Sequence, residues 1–268
     1  MPFTPSHAVV ALPFVRSPLV PGAIAIGAMT PDLPLFLRGA GVPYGFTHGW
    51  SNIVWTTLIA LVLLLVWRVV LRPASVELAP DAIARRLPDD WRRTGPDVAL
   101  EAVAFREGFG RLLLVPISLM LGVISHIGWD LFTHEGRWGV QAIPALQQMW
   151  GPLTGYKWLQ HGSSVIGLLI IGAFAVRWLA ARPVIERPRL LRPWLRWTWM
   201  LSLPALLAGA WMLGLALLGP LDGSFTVQHL AYRVLPPACG LWGAGTILLS
   251  VGIVIVAEQR RRASAGRR

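Results

Sequence analysis

Five stretches of the chain are continuous apolar runs rather than alternating or two-faced segments. They are residues 51–71, 112–133, 161–181, 197–218 and 238–257. A helix needs about 20 apolar residues to cross the hydrocarbon core of a bilayer. The few charges inside these runs, Arg68, Asp130 and Arg177, lie near their ends. Residues 18–37 are also apolar, but Pro31 and Pro34 interrupt them, which predicts a broken span. Residues 3–15 are apolar and short, and predict a half-span or interfacial helix. They lack the basic start and small-residue cleavage site of a signal peptide. The expected fold class is all-α: a polytopic membrane helical bundle with five long transmembrane helices, one broken span and a short N-terminal helix.

The polar positions orient this set. If 51–71 runs from outside to inside, twenty of the 24 Lys and Arg residues fall on the cytoplasmic side, the exceptions being Arg38, Arg137, Lys157 and Arg233. Residues 72–111 then form a cytoplasmic loop and 258–268 a basic cytoplasmic tail, with 135–160 and 219–237 outside. The 72–111 loop carries seven of the thirteen acids in alternation with arginines, and short helices are expected at 81–87 and 97–107. Residues 135–160, rich in Gly, Pro and Trp, are expected to form an outer loop or lid. No internal repeat divides the chain, so 1–268 is taken as a single membrane domain.

Composition narrows the functional classes. Only 14% of residues are charged and 54% are apolar, against about 25% charged in an average globular protein. The net charge of +11 would suit nucleic-acid binding, but the arginines flank the apolar runs, so membrane lipids rather than nucleic acid are the expected partners. A single cysteine, Cys239, excludes an intrachain disulfide and a Cys-based zinc knuckle. The chemistry must come from six histidines and a few carboxylates.

The predicted topology gathers these groups at the outer ends of the spans: His48, His126, Asp130, His134, His161 and Asp32, with His7 at the same level if 3–15 enters from outside. Ionisable groups at membrane depth tend to be functional. In Ser125–His134, a spacing of four puts His126, Asp130 and His134 on one helix face. Imidazole and carboxylate together suit zinc and other first-row divalent ions. His126 and His134 stand about 12 Å apart along a regular helix, so one ion with bonds near 2 Å cannot take both. Asp130 can pair with either. Asp32 has no cationic neighbour in sequence before Arg38, which favours a ligand role for this isolated carboxylate. Gly49 is expected to allow a tight turn that aims His48 inward. His229, placed in the 219–237 loop, and Asp222 are expected to be incidental. The competing structural reading is that the buried groups simply hydrogen-bond helices together.

Met1–Ala8, Gly27–Pro34, Thr47-His48-Gly49 and Ser125–His134 resemble the bacterial membrane proteins grouped as domain of unknown function 4184, over most of the chain. That resemblance implies a membrane protein without an assigned activity. A more distant likeness is to membrane-bound metal-dependent hydrolases, and it implies His7, Asp32, His48, His126 and Asp130 as metal ligands. The His126-x-x-x-Asp130 pair is also similar to the helical zinc ligands of zinc-dependent phospholipases C and P1-type nucleases, but those enzymes are soluble and their further His and Glu ligands are not recognisable here.

The expected function is a metal-dependent hydrolase of a lipid or lipid-linked ester or phosphoester, at the outer face of the bacterial inner membrane. The expected cofactor is a divalent metal, zinc or manganese, and His134 and His161 are candidate catalytic proton carriers. Two alternatives stay open: a transporter or scaffold without catalysis, and a haem protein with His48 and His161 as axial ligands.

Overall fold

The computed structural model describes residues 3–38, 41–103 and 109–265. Among the described residues the protein is all-α apart from one hairpin of two-residue strands. Pro21–Met29 forms α1. Five helices among the described residues are long and apolar enough to cross a membrane: α2 (Trp50–Leu78), α3 (Phe109–Thr133), α4 (Gly155–Ala180), α5 (Pro193–Leu218) and α6 (Val227–Ala265). They contain the five expected runs, except that α4 ends one residue short of 181.

Several boundaries differ from the sequence expectation. Helix α4 begins at Gly155, so the segment expected over 135–160 ends before 160. Helix α6 begins at Val227, which puts His229 in a helix rather than a loop. Helix α2 runs on to Leu78; Pro73 lacks the N–H that would bond residue 69, and the helix widens over Trp67–Leu71 before resuming. The short helices of the 72–111 segment are Asp81–Ala84 and Pro96–Ala102. The end of the expected 97–107 helix lies outside the described residues, as do Arg106, Arg267 and Arg268.

The chain forms two compact units. One comprises residues 34–42, 66–99 and 182–268, with a core of Ala74, Leu78 and Ile253. Within it Arg189 closes the end of α2: its guanidinium donates to the carbonyls of Val76, Glu77 and Ala79 at 2.8, 2.6 and 2.7 Å. These are carbonyls that a helix end leaves without partners, and a cation there also favours the helix dipole.

The other unit comprises residues 1–33, 43–65 and 100–181. Its N-terminal segment, Thr4–Phe14, is a 3₁₀ helix. The expected broken span is α1, a 3₁₀ turn at Thr30–Asp32 and one further turn at Leu33–Phe36, whose residues 34–36 belong to the first unit. Residues 138–154 fold into two short helices and the hairpin, packed through Val140 and Leu146 onto Phe132 and Tyr156. Gly151, at φ 73°, supplies the left-handed residue of the hairpin turn.

The contact that positions the polar groups of this unit is α1 against α3. Gly27 and Gly122 face the partner backbone so closely that a Cβ on Gly27 would collide with the Leu119 carbonyl, and one on Gly122 with the Ile24 carbonyl. Small residues permit such approach between apolar helices. Ala23, Ala60, Leu64, Val115 and Leu119 fill the layer beside it. Replacing Gly27 by Leu is therefore expected to lower the thermal midpoint in detergent, by overpacking worth about 1–3 kcal/mol. Gly172→Leu, where an added Cβ meets nothing within 4 Å, is expected to leave it unchanged. Equal midpoints for the two variants would show that the α1–α3 contact is not tight.

Candidate metal centre

Four segments far apart in sequence each bring a polar side chain to one buried point. Helix α3 contributes His126 and Asp130, one turn apart. The break at Thr30–Asp32 contributes Asp32. The turn after Tyr44–Thr47 contributes His48. The N-terminal 3₁₀ helix contributes His7. All five side chains are buried, His126 completely.

Each is held by a specific partner. His126 Nδ1 donates to the Ala28 carbonyl at 2.7 Å, which is possible because α1 lies so close. A carbonyl only accepts, so Nδ1 carries a proton, and in the neutral ring the Nε2 lone pair faces inward. His48 repeats the device: its Nδ1 is 3.1 Å from the Tyr44 carbonyl and its ring stacks on Tyr44 with centroids 3.7 Å apart. Thr47 Oγ1 donates to the Pro31 carbonyl at 2.7 Å, tying the His48 turn to the Asp32 segment. Thr4 Oγ1 donates to Asp32 Oδ2 at 2.7 Å and leaves Oδ1 without a hydrogen bond. Near three residues per turn, a 3₁₀ helix eclipses positions three apart, so Thr4 and His7 reach the same place.

The resulting distances distinguish two kinds of site. His48 Nε2 and His126 Nε2 are 3.3 Å apart. Asp32 Oδ1 is 3.7 Å from each of them. Asp130 Oδ2 is 3.6 Å from His48 Nε2 and 3.5 Å from His126 Nε2. The imidazole–carboxylate separations exceed the roughly 2.7–3.2 Å of direct N–H···O hydrogen bonds. They suit atoms sharing a cation: a tetrahedral ion with bonds of about 2.0–2.1 Å sets its ligand atoms about 3.3–3.4 Å apart. Two inward imidazole lone pairs beside two buried carboxylates also call for a positive charge. Among the described residues no Lys or Arg approaches either carboxylate within 4 Å. The buried His and Asp groups of this centre could hold a metal ion, and the donor set fits one.

His7 stands at the edge of this centre. Its ring stacks on that of His126 with centroids 3.9 Å apart, and His7, Asp32 and His126 offer donor atoms within 4.8 Å of one another. Its Nε2 is buried without a hydrogen bond. With Nδ1 committed to Ala28, His126 has one free nitrogen, so this triplet and the His48–His126–Asp130 triplet overlap on one atom and describe one centre.

Asp130 lies between His126 and His134, as the helix spacing implied: His134 Nδ1 is 3.5 Å from Asp130 Oδ1. His134 is partly exposed and its Nε2 is 3.5 Å from Gln160 Nε2; burial pushes its pKa below the ordinary value. His161 does not join the group. Its side chain is exposed and makes no hydrogen bond to the cluster; Gln160, one residue earlier, faces His134. Pairing His48 with His161 across a haem is inconsistent with this arrangement, since His48 Nε2 is turned to His126. His229 makes local contacts with Thr226 and Phe225, and Asp222 accepts three bonds from Ser224 and Phe225 in a surface turn. Gly49 is not in a glycine-specific conformation; at φ −84° its backbone is extended and open to any residue. What aims His48 inward is the Tyr44 and Thr47 contacts.

The fold and the centre define a polytopic helical membrane protein with a buried His/Asp cluster at the meeting point of four segments. The chain belongs to the family described as domain of unknown function (DUF4184), whose model matches residues 1–219 and so includes every member of the cluster. No curated protein and no solved structure matches the chain.

Substitutions should divide along the helix face. His126→Ala and Asp130→Ala are expected to reduce bound divalent metal in the purified protein from about one per chain to background, while His134→Ala keeps most of it. Metal analysis of the three variants, with folding checked by size-exclusion chromatography, tests this. Equal loss in all three, or no loss in any, would contradict the assignment.

Proposed function

We propose that this protein is a metal-dependent hydrolase of the bacterial inner membrane, acting on a lipid or lipid-linked ester or phosphoester at the outer face. The observation that carries the reading is the set of five donor separations of 3.3–3.7 Å among His48, His126, Asp32 and Asp130. Zinc suits this nitrogen and oxygen set, and manganese is the second choice. A divalent ion held there supplies polarisation of the scissile carbonyl or phosphoryl group and makes water a better nucleophile at neutral pH.

The residues around the centre support a hydrolytic role. A narrow cavity of about 10 Å³, bounded by Trp50 and Arg137, reaches His48 and Asp130; that is room for about one water. His134 stands between Asp130 and the surface, where its Nδ1 can take a proton released near Asp130 and pass it outward. His161, being exposed and apart, is not retained in the catalytic set. A transporter reading would use the same carboxylates as an ion path, but the second-residue contacts that lock both imidazole tautomers favour a fixed ligand cage.

The test is hydrolysis by the purified protein of phosphatidic acid and lysophospholipid in mixed micelles, read by mass spectrometry of the released phosphate or fatty acid. Activity is expected to vanish on chelation, to return with zinc or manganese, and to fall at least 100-fold in Asp32→Asn. Turnover that survives chelation, or a metal-loaded protein inert on both ester and phosphoester lipids, would overturn the reading.

Orientation is tested separately. In a Cys239→Ala background, a cysteine replacing the exposed Ile143 is expected to react with an impermeant thiol reagent in intact cells, and one replacing Asp90 to stay unlabelled. The reverse pattern would place the centre on the cytoplasmic side.

A further inference from the structure

An open groove of about 670 Å³ runs beside the cluster, within the same compact unit. One wall is α4 from Trp158 to Ile170, about 18 Å of helix at 1.5 Å per residue. The opposite wall is Val9 and Val10 of the N-terminal 3₁₀ helix together with Trp129 of α3. The lining is mostly apolar, with polar side chains at Ser6, His7, Ser125 and Ser163. His7 therefore belongs to both structures: its ring stacks on His126 in the centre and lines the groove.

We infer that this groove holds a single hydrocarbon chain of the substrate, drawn sideways from the bilayer, and that it sets the ester or phosphoester beside His7. The inference rests on the hydrolase reading for the headgroup chemistry; the chain site itself rests on three observations. First, the rim is continuous with lipid-facing surface: Ile166 and Ile170, which line the groove, are flanked on α4 by exposed Val165 and Leu169. Second, the groove's volume lies within the roughly 300–1,000 Å³ of small-ligand sites. Third, His7 lines the groove and its ring stacks on His126 of the centre, so an amphiphile whose polar group reaches His7 is seated at the donors.

Gly162 gives a clean test, because a Cβ there meets nothing within 4 Å and a larger side chain would occupy the groove without displacing backbone. The probe is a lysophospholipid with a photoactivatable diazirine in its chain, added to the protein in phosphatidylcholine nanodiscs, with crosslinks mapped by mass spectrometry. Crosslinks are expected to concentrate between residues 125 and 129 and between 158 and 170, to be competed by unlabelled lysophospholipid, and to fall at least tenfold in Gly162→Phe. Bound metal in that variant is expected to match the wild type, which also shows that it folds. Crosslinks spread evenly over lipid-facing residues such as Leu213 and Leu248, or a yield unaffected by Gly162→Phe, would overturn the chain site while leaving the metal chemistry standing. Saturable crosslinking in a protein that binds no metal would instead retain the chain site and sink the hydrolase reading.

Discussion

The hydrogen bond from His126 Nδ1 to the Ala28 carbonyl is the constraint on which the site depends. It exists only because two glycines let α1 and α3 approach with backbone against backbone. It settles which imidazole nitrogen carries the proton, and so turns the Nε2 lone pair toward Asp32, His48 and Asp130. The same close approach carries the Pro31-Asp32 break to the depth of His126. Widening this contact would cost packing and would also release the ring from the orientation in which it can share a cation with three other segments.

Burial makes the arrangement demanding. Two carboxylates and two imidazole lone pairs removed from water repel one another unless a positive charge lies among them. Neutral imidazoles cannot supply it, and the nearest carboxylate–imidazole distances are too long for a proton to be shared well. A divalent ion answers both the charge and the spacing. The centre then meets two different media. His48 and Asp130 adjoin a space of the size of one water, and His7 adjoins an apolar groove. A hydrolase of membrane amphiphiles needs water and hydrocarbon to be delivered separately to one point.

Much of this was legible in the sequence, for identifiable reasons. Length and apolarity mark the five spans because a bilayer demands both. They miss the first turns of α4 and α6, where Lys157, Gln160, His229 and Arg233 lie outside the most apolar windows although the helices continue. The i, i+4 spacing of His126 and Asp130 holds because α3 is regular there. Asp32, isolated from cations in the sequence, is buried beside His48 and His126. Thr4 was not readable as a partner of Asp32: its alignment with His7 follows from a 3₁₀ period over eleven residues, longer than such helices usually run. His161 is exposed, and Gln160, one residue earlier and about 100° away on the helix, faces His134. The glycine argument for His48 failed because carbonyl and hydroxyl contacts from Tyr44 and Thr47, not backbone freedom, set that ring.

That His48, His126, Asp32 and Asp130 hold one ion together can be read by X-ray absorption at the metal edge of the zinc-loaded protein. About four nitrogen and oxygen neighbours near 2.0–2.1 Å are expected, with the outer-shell scattering of two imidazole rings, and loss of one ring's contribution in His48→Ala. A spectrum without imidazole scattering, or one unchanged by that substitution, would contradict it.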